Sequence, residues 1–156
     1  MFARDYETLL ALAPIRHLDV ANIGAAATQF FACPGLAQIV ALSFDLGGTP
    51  QEHPARDAVV APLLASPHLR KLRYLDLRRN DLSEAAHAKL AHATNLPALE
   101  VLRLDGLEEE YGMDYDGSIQ TVRPSAALVA FEQRHGPSAW LHHGERTQRE
   151  ITRTSF

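Results

Sequence analysis

The sequence has one cysteine, no long apolar run and no excess of positive charge, and each shortage excludes something. Cys33 alone cannot build an internal disulfide framework, which agrees with a reducing compartment. No stretch approaches the ~18 consecutive apolar residues of a membrane helix. The N-terminal MFARDYETLL lacks the basic region, apolar centre and small-residue cleavage site of a secretory leader. A cytoplasmic protein with no membrane partner is expected. Fifteen Lys and Arg against nineteen Asp and Glu leave a net charge of −4, with both signs interspersed, so a nucleic-acid partner is not expected either.

Signatures of chemistry are equally scarce. The eight histidines form no H-E-x-x-H, and no paired cysteines accompany them. His87 and His92 stand five apart, a poor spacing for one helix face. Laid on a calcium-binding loop, GMDYDGSIQTVR offers Asp114 and Asp116 but puts Gly112 and Arg123 where two carboxylate ligands belong. No glycine-rich phosphate cradle or local nucleophile motif occurs. Cys33 precedes Pro34 just as Ser66 precedes Pro67, the mark of a small packed residue at a helix end rather than a nucleophile. Neither enzyme activity nor a cofactor nor a metal is expected, and a cryptic hydrolase or metal-dependent enzyme is the alternative of another class.

What is present is a hydrophobic content of 46 % in 156 residues, enough for one domain with a real core, and a spacing that recurs. LRYLDLRRNDL, residues 72–82, has leucines at its first, fourth, sixth and eleventh places and asparagine at the ninth. The one-four-six pattern returns in IRHLDV from Ile15, IVALSF from Ile39 and LEVLRL from Leu99. Leu36, Leu69 and Leu96 each stand three residues before a hexamer, and FFACPGLAQI and LLASPHLRKL are nearly superimposable. Alternation along a strand sends the fourth and sixth residues of each hexamer inward, so Leu75, Leu77, Leu102 and Leu104 should share one core while Tyr74, Asp76 and Arg103 face solvent. Between hexamers, segments such as LSEAAHAKLAHATN have helical composition, with Ser83 placed to cap one start.

This consensus resembles that of leucine-rich-repeat proteins, and the unit length resembles their ribonuclease-inhibitor-like subtype. The resemblance implies an α/β fold: a short solenoid of about four repeats, near 1–24, 25–57, 58–82 and 83–107, with parallel strands on the concave face and helices on the convex face. A C-terminal cap at 108–143 would close the domain at 1–143, followed by a polar tail at 144–156 expected to be disordered or to contact a partner. The ending G-P-S-A-W-L-H is similar to that of bacterial leucine-rich-repeat proteins of unknown role. Within the cap, Asp116-Gly117 signals a hairpin turn, Ser125 to His135 a last helix, and Ala139 to Leu141 a final strand. Trp140 is expected to plug the core against Leu128 and Phe131.

The resemblance also implies function, namely binding of a protein partner. The third and fifth residues of each hexamer, with the residue just after it, would lie on the concave face. From these columns come His17, Asp19, Ser43, Asp45, Tyr74, Asp76, Arg78, Arg103 and Asp105, with Tyr74 and Arg78 as anchors. The bland reading is a solvated ladder in which Asp76, Arg103 and their neighbours pair sideways for small gain. Glu108, Glu109 and Tyr111 begin an acidic, aromatic segment expected to share a rim with the Gly/Pro-rich 47–57, able to meet a basic partner. Some proteins of this subtype regulate small GTPases, which is the alternative within the binding class. The Ile15 to Val20 strand, at the chain's start, is expected to be an edge open to self-association.

Overall fold

Alternating strands and short helices, then a hairpin and a last helix, make up the computed structural model. It describes residues 15–21, 23, 26–45, 56–113 and 119–142. β1 (His17–Ala21), β2 (Ala41–Asp45), β3 (Tyr74–Asp76) and β4 (Val101–Arg103) form one parallel sheet in chain order. His17 lies opposite Ala41, Ala41 opposite Tyr74 and Tyr74 opposite Val101, so the third residues of the four hexamers stand side by side. Strand entry is built alike each time. The carbonyl of Arg16 accepts the N–H groups of Val40 and Ala41, that of Val40 accepts Arg73 and Tyr74, and that of Arg73 accepts Glu100 and Val101.

The connections carry α1 (Ala27–Phe31), α2 (Val60–Ala65) and α3 (Glu84–Ala91), with α1 packed on α2 and α2 on α3. Proline explains why the first two are short. A residue before proline is driven out of the helical region, and Cys33 and Ser66 sit at ψ 121° and 123°. Each connection then turns through a leucine that is almost wholly enclosed, Leu36, Leu69 or Leu96. The next N–H but two closes the turn, from Ile39 to Leu36 at 3.0 Å, Leu72 to Leu69 at 3.1 Å and Leu99 to Leu96 at 3.1 Å. Ser83 caps α3 as expected, its Oγ accepting the Ala86 N–H at 3.2 Å.

Leu75, Leu77, Leu102 and Leu104 do lie in one contiguous core, with Leu42 and Phe44 from β2 and a cluster of rings from Phe30, Phe31 and Phe44. Beyond β4 the chain forms β5 (Glu109–Met113) and β6 (Ile119–Pro124), an antiparallel pair separate from the main sheet, so the hairpin is present. Its Asp116-Gly117 turn lies outside the described residues. α4 (Ala126–His135) follows, capped by Ser125 and ended by Gly136 at φ 89°.

Two expectations for the cap need correction. Ala139–Leu141 is a single 3-10 turn rather than a strand, and Leu141, not Trp140, is the fully enclosed side chain that joins Leu128 and Phe131 in the core cluster. Trp140 is only partly buried against the core. Position outweighs size: Ser138 donates from Oγ to the Ala91 carbonyl at 2.9 Å, as Ser66 does to the Phe31 carbonyl at 2.7 Å, and three residues after each serine comes an enclosed leucine. The expected first helix, the 47–57 loop and the polar tail fall largely or wholly outside the described residues.

Candidate functional site

Side by side on the outer column of the sheet are His17, Ala41, Tyr74 and Val101. Tyr74, expected exposed, is 3 % exposed and forms a closed cluster with Ala41 and Val101. Small aliphatic neighbours on both flanking strands let the ring lie down over them, which buries more apolar surface than standing in solvent would. The Arg103 guanidinium sits 6.0 Å from the ring centroid, so Arg103 is half-buried as well. Burial, and then the nearby Asp76 charge, push the Tyr74 phenol up to about 12.

Asp76 is also not the exposed carboxylate the alternation implied, its side chain being 13 % exposed. Its two oxygens accept from the Arg78 backbone N–H at 3.1 Å, Arg78 Nε at 3.0 Å, Arg78 Nη2 at 2.7 Å and the Tyr74 hydroxyl at 3.1 Å. Burial raises this carboxyl, but the Arg78 hydrogen bonds and charge outweigh it and hold Asp76 below the usual carboxylate range. The sideways ladder between Asp76 and Arg103 is thus replaced by a fork within one turn, from Asp76 to Arg78.

Asp105 is corrected too, since its carboxylate is engaged by the backbone. It accepts the N–H groups of Arg79 at 2.6 Å, Asn80 at 3.0 Å and Asp81 at 3.1 Å. Three consecutive amides point at one anion because Arg79 and Asp81 adopt left-handed φ values of 65° and 50°. Between them Asn80 is fully enclosed, and its Nδ2 donates to the carbonyls of Phe44, Leu77 and Arg78 at 3.0, 2.8 and 3.0 Å. Sequence spacing singled out this asparagine without supplying that role.

Of the remaining expected residues, His17 and Asp19 are exposed and 3.4 Å apart, and Ser43 and Glu108 are half-buried. The Glu109 side chain is 8 % exposed with His142 Nδ1 at 3.8 Å, so it is no free rim carboxylate. Asp45 ends β2 and Tyr111 stands in β5, and the side chains of both lie outside what the structure describes. An open cavity of about 310 Å³ gathers Asp19, Ser43, Asp76 and Arg78 of the expected set at the C-terminal ends of β1 to β3, together with Arg79 and the edge of Phe44. Tyr74, Arg103 and Asp105 are not among its walls.

Of the other polar groups singled out in the sequence, Cys33 and His87 are embedded and His92 is exposed. Cys33 is buried, its Sγ accepting the Gly35 N–H at 3.3 Å. Burial lowers the pKa of His87 in α3 against the pull of Asp105, Asp57 and Glu84. Among the described residues no three His, Cys, Asp or Glu side chains converge to hold a metal ion, and no helix is long and apolar enough to cross a membrane. Comparison with family models, curated proteins and solved structures found no match.

Proposed function

We propose that the chain is a small leucine-rich-repeat solenoid of the ribonuclease-inhibitor-like kind that serves as a protein-interaction module. The architecture is supported by the in-register alignment of the four hexamers and by the shared turns and strand entries. The observation that carries the binding reading is the open cavity at the strand ends, where Asp19 and Arg78 offer opposite charges on either side of Ser43. Asp76 holds the Arg78 guanidinium in place, so a partner meets a cation already oriented and loses less entropy in binding it.

The test is a comparison. Asp19→Arg with Ser43→Arg fills and recharges the cavity without touching the core. Affinity capture from the native source should recover proteins with the parent chain that this variant fails to recover, both melting alike, and titration of the recovered partner should show weakened binding. Identical recovery and affinity by the two chains would remove the cavity as the binding site.

A further inference from the structure

At the opposite ends of the strands the chain builds a second cleft, of about 560 Å³, lined by Arg16, Arg70, Lys71 and Arg73 above a floor of Val40 and Ala98. Among the described residues no carboxylate stands in its walls, and Glu100 beside it is bonded to Arg73. In a chain with net charge −4 this local excess of cations runs against the average. Three turns with the same closing bond allow a comparison of what the fold itself requires there. Between the enclosed Leu36 and Ile39 stand Ala37 and Gln38, between Leu96 and Leu99 stand Pro97 and Ala98, and between Leu69 and Leu72 stand Arg70 and Lys71. Neutral residues satisfy the turn in two cases, so the cations in the third are not needed to form it. Both are exposed, and among the described residues neither is held by a hydrogen bond or an ion pair.

We infer that this cleft is a docking surface for an acidic, extended segment of a partner protein, distinct from the cavity at the other strand ends. Arg70 and Lys71 face its carboxylates, and Val40 with Ala98 receives an intervening aliphatic side chain. A bare phosphate would leave the apolar floor unused, and among the described residues the cleft walls carry no aromatic ring on which a nucleic-acid base could stack. Charge complementarity of this kind speeds encounter and weakens as salt rises.

A fluorescein-labelled peptide of alternating glutamate and leucine is the probe, read by anisotropy against the full chain at low and high salt. Arg70→Ala with Lys71→Gln copies the neutral Ala37-Gln38 turn and should melt like the parent. Arg70→Glu with Lys71→Glu provides a repelling variant. The parent should bind the peptide at low salt, more weakly at high salt, and the neutral variant about tenfold more weakly than the parent, as expected for loss of two facing charges. The Asp19→Arg, Ser43→Arg variant should bind the peptide as the parent does, which separates this site from the cavity at the other strand ends. No binding at low salt, equal binding by the neutral or repelling variant, or tighter binding of a single-stranded oligonucleotide abolished by the same substitutions would each overturn the proposal.

Discussion

Replacing Asn80 with Ala tests whether one side chain ties β2 to the turn after β3. The amide nitrogen donates to three carbonyls, those of Phe44 and Leu77 at buried positions and that of Arg78 at a partly buried one. Alanine leaves those oxygens without this donor and opens a space the size of an amide. An unsatisfied buried polar group costs ~1–3 kcal/mol, and partial entry of water at Arg78 softens the total, so a loss of ~2–4 kcal/mol is expected. In urea the midpoint should fall with an unchanged slope, and the melting temperature should drop by about 6–12 °C. Asn95 is the control, because its Nδ2 is buried with no acceptor among the described residues, so Asn95→Ala removes a desolvated group that gains no bond from them. It should be neutral to within ~0.5 kcal/mol. If Asn80→Ala and Asn95→Ala cost the same, the carbonyl ties contribute nothing and the reasoning fails.

Leu75 is wholly enclosed in the core, and Leu75→Ala should cost ~2–5 kcal/mol by urea denaturation, whereas a value under 1 would contradict its placement. Tyr74, with its phenol pushed up to about 12, should be missing from the tyrosinate absorbance that the chain develops near pH 10. An acid whose folded pKa is raised stabilises the fold below its unfolded pKa, so stability should decline as pH climbs from about 10 towards 12, and Tyr74→Phe should lose that decline. For His87 the sign reverses, because burial lowers the pKa of a base and the unfolded chain binds the proton more readily. Stability should therefore fall as pH drops below about 6.5, and a chain with His87→Gln should show a shallower loss on denaturant titration at several pH values.

The inward half of the sheet was legible because alternation depends on the backbone alone: Leu75, Leu77, Leu102 and Leu104 are enclosed whatever their neighbours are. The outward half was not. Whether Tyr74 stands up or lies down is decided by Ala41 and Val101, which arrive from other strands and which no local pattern connects to it. Asp105 misled for a similar reason, since a carboxylate in a charged column looks ready for a partner until the turn at 79–81 presents its amides. The cap was misjudged by weighing bulk, when counting three residues on from Ser138, as from Ser66, leads to Leu141. Arg70 and Lys71 were within reach of the sequence, but only through comparison of three turns that the structure shows to close alike.

Strand order that follows chain order also sets how the molecule opens. Among the described residues β2 and β3 are bonded on both sides, while β1 and β4 each have one strand neighbour in the sheet. Every pairing joins segments consecutive along the chain, so either end can separate while the middle remains bonded. Amide hydrogens should then exchange in a gradient, slowest at Leu42 and Leu75 and faster at Leu18 and Leu102, as local openings reach the middle strands last. Such a chain would open inward from its ends, so that a disturbance near Ile15 would be damped before it reached Leu75.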